Sequence, residues 1–168
     1  MKCLILAAGY ATRLYPLTEN FPKSLLTVGD KTILDLLLDD IEASGGVDGY
    51  IVVSNHKFVR FFEEWAESKP YSVTVIDDGT ETNETRLGAV RDIGFALERL
   101  SLDCDLLVIA GDNLLDFSLC RFISYFREKN TSCVMRYFEP SEKKLQKCGV
   151  LTVDGNDLVT DMTEKSPT

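Results

Sequence analysis

Short β-branched runs alternate with stretches of helical apolar spacing through the first 137 residues. The apolar runs predict strands at residues 3–7, 50–53, 72–76, 106–109 and 131–137. Apolar residues at helical spacing predict helices around residues 33–43, 58–65, 90–100 and 119–126. The run at 106–109 is almost entirely apolar, which is typical of a strand at the centre of a parallel sheet.

The pattern changes after residue 137. Runs at 149–153 and 158–162 flank the turn sequence Asp154-Gly155-Asn156-Asp157, which predicts a β-hairpin. The order of elements therefore predicts an α/β fold: a three-layer, Rossmann-like, mostly parallel sheet flanked by helices, with a C-terminal β-hairpin. A length of 168 residues predicts one domain over residues 1–168.

Composition narrows the classes of partner. A net charge of −9 argues against nucleic acid or an anionic membrane as the main partner, although local cations can still hold a phosphate. The apolar runs are too short for a transmembrane helix, and the apolar N-terminus is too short for a signal peptide, so we expect a cytoplasmic protein. The five cysteines lack metal-ligand spacing, and the single His56 cannot build a zinc site.

Candidate chemistry lies where predicted strands end, since ligands of open α/β sheets bind there. The first segment, residues 6–18, reads LAAGYATRLYPLT and is followed by Pro22-Lys23. Gly9 and its alanine neighbours let the backbone approach a ligand closely. Arg13 offers a fork of donors to phosphate oxygens and Lys23 a point charge. The Gly-Lys-Ser/Thr ending of a P-loop is missing.

Two further segments carry polar residues at such ends. Asp112 follows the run at 106–109, where a carboxylate can hold Mg²⁺, and its alternative role is the N-cap of the next helix. Asn83 and Gly88 precede another predicted helix. Gly88 would allow a flat ring to lie on the backbone, and an amide such as Asn83 can read a base edge because it both donates and accepts. The alternative for Asn83 is a plain turn residue.

Residues 6–18 with the following Pro-Lys resemble the signature of the nucleoside-triphosphate transferases. This family comprises sugar-1-phosphate nucleotidylyltransferases and relatives that activate phosphocholine and similar phosphates. The resemblance continues through residues 87–89, 111–113, 148–150 and 164–165, and so spans the chain. The family pattern is commonly Gly-Gly-x-Gly-Thr-Arg, and Ala8 and Ala11 stand here at two of its glycines.

The resemblance implies that a sugar-1-phosphate attacks the α-phosphorus of a nucleoside triphosphate and that pyrophosphate leaves. It implies that Arg13 stabilises the leaving pyrophosphate, Lys23 holds the reacting phosphates and Asp112 ligates a Mg²⁺ cofactor. The residues that it assigns to the nucleotide are Leu6, Ala8, Gly9, Ala11, Thr12, Arg13, Asn83 and Gly88. Those assigned to the phosphorylated acceptor are Gly149, Glu164 and Lys165.

Family members usually continue past the point where this sequence ends, with more of the sugar pocket and a second acidic metal ligand. We therefore expect that the chain lacks the C-terminal part of the family domain, and that it binds nucleotide with slow or absent turnover. Three alternatives stay open: a cytidylyltransferase acting on phosphocholine or another small phosphate, a non-catalytic nucleotide- or nucleotide-sugar-binding module, and a molybdopterin-cofactor nucleotidyltransferase. The sequence leaves open the base, the acceptor and the oligomeric state, with a homo-oligomer as one alternative.

Overall fold

The computed structural model describes residues 1–164, in two compact units, Met1–Tyr125 and a second that begins at Phe126. The strands are β1 (Lys2–Leu6), β2 (Thr27–Val28), β3 (Lys31–Thr32), β4 (Tyr50–Ser54), β5 (Val73–Asp77), β6 (Leu106–Ala110), β7 (Gly149–Val153) and β8 (Val159–Glu164). The α-helices are α1 (Ile33–Ala43), α2 (Val59–Glu67), α3 (Ala89–Leu100), α4 (Cys120–Lys129) and α5 (Glu142–Leu145). Single 3₁₀ turns cover Thr12–Leu14 and Lys23–Leu25. One domain over residues 1–168 stays a prediction.

The first unit is built on a four-stranded sheet in the order β5-β4-β1-β6. All three of its strand pairings are parallel. The two strands in the middle, β1 and β4, are the most buried, because helices cover both of their faces. The predicted α/β class with a mostly parallel sheet is confirmed.

Helices lie on both faces of this sheet. Cys3 and Ile5 of β1 pack in the larger apolar cluster with α1, α2 and the start of α4. Leu4 points to the opposite face, where it packs in a second cluster with Ala96 of α3. Successive strand residues point to opposite faces, so the near-continuous apolar pattern of β1 matches burial on both sides. The predicted three-layer arrangement is confirmed.

The first helix shows how local sequence sets its start. Thr32 Oγ1 accepts a hydrogen bond from Asp35 N at 3.0 Å, and Asp35 Oδ2 accepts one from Thr32 N at 3.2 Å. This reciprocal capping box satisfies two backbone donors that a helix start leaves without partners. The helix covers Ile33–Ala43, as its apolar spacing predicts.

Two expectations about the sheet are wrong. Strand β6 is an edge strand of the described sheet rather than its centre, and Val108 is 41% exposed. An apolar run carries no information about strand order, and in β6 only Leu107 is buried in the described structure. Residues 131–137 form no strand, and Val134 and Tyr137 are exposed. Apolar, β-branched composition favours a strand only where a neighbouring strand takes up its backbone hydrogen bonds.

The second unit contains the predicted hairpin, which is confirmed. Strands β7 and β8 pair antiparallel, with Gly149 opposite Glu164. Asp154 Oδ1 closes the turn by accepting hydrogen bonds from Asn156 N at 2.8 Å and Leu158 N at 2.9 Å. Among the helices that the structure describes, none has the length and apolar character needed to cross a membrane.

Candidate active site

A cavity of about 130 Å³ lies at the carboxyl ends of the neighbouring strands β1 and β6. This is the edge at which open α/β sheets bind ligands. Its lining includes five of the residues singled out from the sequence, namely Leu6, Gly9, Ala11, Lys23 and Asp112, together with Ala7 and Ser24. The structure therefore brings the first and second candidate segments into one site.

Gly111 fixes where Asp112 lies. Its N–H donates to Leu6 O at 3.0 Å, which continues the pairing of β6 with β1 to the edge of the cavity. A Cβ at this position would lie 2.9 Å from Ile5 Cγ2 and 3.2 Å from Ser24 Oγ. Only glycine fits there without displacing its neighbours, so the glycine lets the Asp112 carboxylate follow directly on the strand.

Lys23 and Asp112 form the charged pair of the cavity. Lys23 Nζ donates to Asp112 Oδ2 at 2.9 Å, and the two side chains are 29% and 45% exposed. An ion pair this accessible adds at most about 1 kcal/mol to stability, and both groups remain available to a charged ligand. The alternative role of Asp112 as a helix N-cap is wrong, because α4 begins only at Cys120, whose N–H bonds Ser118 Oγ at 3.2 Å.

The loop after β1 is held by side-chain hydrogen bonds. Thr18 is fully buried, and its Oγ1 donates to Ala11 O at 2.8 Å. The buried Tyr10 hydroxyl donates to Thr80 O at 2.9 Å. Ala11 takes a left-handed conformation, with φ 47° and ψ 38°, which turns the chain into the 3₁₀ turn Thr12–Leu14. The conformation of the loop is thus set by bonds within the chain itself.

Thr12 and Arg13 lie in that 3₁₀ turn and are exposed. Ala8 is buried, and its backbone carbonyl accepts a hydrogen bond from Asn55 Nδ2 at 3.0 Å. None of these three signature residues lines the cavity around Lys23. Their contacts to nucleotide therefore stay predictions.

The third candidate segment lies between β5 and α3. Asn83 Oδ1 accepts a hydrogen bond from Arg86 Nη1 at 2.7 Å, and Gly88 is the N-cap of α3 with φ 87°. That positive φ favours glycine over any residue with a Cβ. Neither Asn83 nor Gly88 lines the cavity at β1 and β6. A base-reading role for them stays a prediction.

The residues assigned to the acceptor belong to the second unit. Gly149 and Glu164 face each other across the hairpin as register partners. Lys165 lies outside the described residues. Their roles toward a sugar phosphate stay predictions.

Two poorly solvated carboxylates flank the third segment. Asp78 follows β5, and Asp92, which is 5% exposed, lies in the first turn of α3. Asp78 Oδ1 accepts from Thr80 N at 2.7 Å, but Asp78 Oδ2 and Asp92 Oδ1 are buried without a partner among residues 1–164. Burial raises the pKa of Asp78. Burial, and then the nearby charge of Asp78, raises the pKa of Asp92 to about 6.

Sequence reasoning missed two residues of the site. Ser24 lines the cavity and is buried, and its position directly after Lys23 was a usable signal. Asn55 is fully buried beside the loop after β1. Its only signal was a polar residue directly after a buried strand, which is also typical of an ordinary turn.

Among the described residues that line the cavity, one carboxylate is available to a metal ion. Within residues 1–164, no group of three or more His, Cys, Asp or Glu side chains is arranged to hold a metal ion. The carboxylate that borders the cavity is Asp112. A dedicated protein cage is absent from this part of the chain, whereas an ion shared between Asp112 and ligand phosphates is compatible with the residues present.

Comparison with known proteins gives one family across the chain. A family model described as Nucleotidyl transferase matches residues 2–167. The UTP–glucose-1-phosphate uridylyltransferase of Synechocystis sp. is 23% identical, over 98% of this chain and 44% of that protein. The glucose-1-phosphate adenylyltransferase of Geobacter metallireducens is 28% identical, over 96% of this chain and 42% of that protein. The chain therefore spans less than half the length of these relatives.

A solved structure shows the same fold. The crystal structure of UDP-glucose pyrophosphorylase complexed with UDP-glucose superposes with a TM-score of 0.74 at 18% identity. The match covers 98% of this chain and 69% of that one. At this level of identity the likeness concerns the architecture alone.

Proposed function

Because the chain belongs to the nucleotidyl transferase family, we propose that it binds a nucleoside triphosphate at the cavity between β1 and β6 and transfers the nucleoside monophosphate to a sugar-1-phosphate. One observation carries this proposal: a single cavity is lined by Gly9 and Ala11 of the loop after β1 and by the Lys23–Asp112 pair. This arrangement supplies close backbone approach, a cation and a carboxylate, which are the groups that phosphate chemistry needs.

In the proposed reaction, a phosphate oxygen of the sugar-1-phosphate forms a bond to the α-phosphorus of the triphosphate. The bond from the α-phosphorus to the bridging oxygen breaks, and pyrophosphate leaves with the electron pair. Catalysis then consists of positioning and charge stabilisation. Lys23 holds the reacting phosphates, and Arg13 stabilises the charge that develops on pyrophosphate.

Magnesium is the metal that fits this donor set. Mg²⁺ is usually held by one or two carboxylates together with substrate phosphates, and Asp112 supplies one carboxylate at the cavity. A bound ion would neutralise phosphate charge. Lys23 Nζ, which bonds Asp112 Oδ2 in this structure, would turn to the phosphates.

The remaining parts of the proposal rest on the family resemblance. Asn83 and Gly88 face the base, and Gly149, Glu164 and Lys165 contact the acceptor. We further propose that the protein acts in the cytoplasm on a nucleoside triphosphate and a small phosphorylated acceptor.

Thermal unfolding with Mg²⁺ and each of ATP, GTP, CTP, UTP and dTTP tests the binding step. A ligand at about 100 times its Kd stabilises the folded state by about 2.7 kcal/mol, which raises Tm by roughly 5–10 °C for a chain of this size. Lys23→Met should remove this shift. Lys31→Met, which breaks an exposed Lys–Asp pair elsewhere in the same unit, should keep it. No shift with any triphosphate, or equal shifts in both variants, would contradict the proposal.

Arg13→Ala tests the chemical step. Arg13 is exposed, so its loss should leave Tm within about 2 °C. Pyrophosphate release from a triphosphate and a hexose-1-phosphate should fall by about 100-fold or more in kcat, because the proposed role lies in the transition state. A kcat for Arg13→Ala equal to a measurable wild-type kcat would remove Arg13 from the mechanism.

A further inference from the structure

Asn55 is a fully buried polar residue directly after β4. Burying an amide is costly unless its polar atoms find partners, and both ends of this side chain do. Asn55 Oδ1 accepts from Phe58 N at 3.0 Å, in the turn that leads into α2. Asn55 Nδ2 donates to Ala8 O at 3.0 Å, in the loop after β1.

The bond from Asn55 Nδ2 to Ala8 O orients a peptide in the loop after β1. The carbonyl and the N–H of one trans peptide point in opposite directions. Since the Ala8 carbonyl is turned toward Asn55, the N–H of Gly9, in the same peptide plane, points away from Asn55. Gly9 borders the cavity that also holds Lys23. The buried amide therefore controls the direction of a backbone donor beside that cavity.

We propose that Asn55 is a positioning residue of the nucleotide site, whose bond to the Ala8 carbonyl aims the Gly9 N–H at the phosphates of a nucleoside triphosphate. This inference rests on the proposed function for the identity of the ligand. The orientation of the Ala8–Gly9 peptide itself rests on the hydrogen bond alone.

The two bonds of Asn55 use different atoms, so they can be separated by substitution. Asn55→Asp keeps an acceptor for Phe58 N but loses the donor to Ala8 O as long as the new carboxyl is ionised. When that carboxyl is protonated, its O–H can donate to Ala8 O again. Asn55→Ser keeps a side-chain acceptor that caps helices well, but its side chain is too short to reach Ala8.

The test measures the Kd of the triphosphate that wild type binds best, with Mg²⁺, between pH 5.5 and 8. Asn55→Asp should bind about tenfold more weakly at pH 8, the effect of one lost hydrogen bond, and should recover toward wild type as the pH falls through the pKa of the new carboxyl. Asn55→Ser should be weakened by a similar factor at every pH. Asn130→Asp, which adds the same charge at an exposed position, should bind like wild type.

Wild-type affinity in both Asn55 variants at pH 8, or a loss in Asn55→Asp that persists once the new carboxyl is protonated, would overturn the positioning role. If Asn55→Asp does not fold, Asn55→Ser alone decides, because its affinity either falls or stays at the wild-type value.

The amide resonance of Gly9 separates this inference from the proposed function. In Asn55→Asp it should move with the titration of the new carboxyl even if wild type binds no triphosphate, and an unmoved resonance would refute the inference by itself.

Discussion

Replacing Asp92 by asparagine should make the protein more stable, and only above about pH 4. Asp92 is buried in the first turn of α3, with one carboxylate oxygen that has no partner within residues 1–164. Burial and the charge of Asp78 raise its pKa from 3.8 to about 6. Asparagine has nearly the same shape, and its NH₂ group can donate where the charged carboxylate cannot.

Proton binding determines whether the free energy of unfolding rises or falls with pH. Between the two pKa values, 3.8 and about 6, folded wild type holds a proton that the unfolded chain has released. The free energy of unfolding of wild type therefore decreases as the pH rises through this window. A difference of about two pKa units corresponds to about 3 kcal/mol. An asparagine does not titrate and so avoids this loss, which means that Asp92→Asn should gain up to about 3 kcal/mol over wild type at pH 8 and about 0.5 kcal/mol at pH 4.

Urea denaturation of both proteins at pH 4, 6 and 8 measures this difference, since titrating groups that do not interact with Asp92 cancel in the comparison. At 150–250 residues, a gain of about 3 kcal/mol also means a Tm higher by roughly 6–12 °C. Glu98→Gln is the matched control, because Glu98 lies on the same helix and is exposed. Its difference from wild type should stay within about 0.5 kcal/mol at each pH. A stability difference for Asp92→Asn that is the same at pH 4 and pH 8 would refute the reasoning.

Three smaller changes test the packing around the site, each by urea denaturation with the m-value as a check on the unfolded state. Tyr10→Phe should cost about 1 kcal/mol and no more, because Thr80 O keeps its second hydrogen bond, which the backbone N–H of His56 donates. A cost above about 3 kcal/mol would contradict this. Thr32→Ala should cost about 1 kcal/mol, because it leaves Asp35 N without its cap, and an unchanged midpoint would show that the capping box is dispensable. Ala11→Gly should change stability by less than about 0.5 kcal/mol, because relief at φ 47° is offset by the greater freedom of glycine in the unfolded chain, and a larger change in either direction would contradict that balance.

The parts of the fold that sequence predicted are those set by local periodicity. The bounds of α1 agree with its apolar spacing, and β1, β4 and β5 begin and end within a residue of the apolar runs. The hairpin follows from turn chemistry at Asp154. These features need only a few neighbouring residues to be determined.

The order of the strands, and whether residues 131–137 form a strand, depend on partners far away in sequence. The apolar run of β6 is compatible with a central or an edge position, and the structure has it at the edge. The same limit applies to the site. Lys23 and Asp112 could be predicted to meet because loops at the carboxyl ends of parallel strands share one edge. The roles of Asn55 and Asp92 could not be predicted, because they depend on burial between elements, which no local pattern reports.

The two alanines at glycine positions of the family pattern have different consequences. Ala8 is 5% exposed and packs in the apolar cluster with Ala96 and Ile76, so its methyl group belongs to the core between the sheet and α3. Ala11 lines the cavity in a left-handed conformation, with its carbonyl bonded to Leu14 N at 2.9 Å and Thr18 Oγ1 at 2.8 Å. The departure from the pattern therefore bears on the cavity at position 11 alone. These two hydrogen bonds maintain the backbone conformation of the loop at that position.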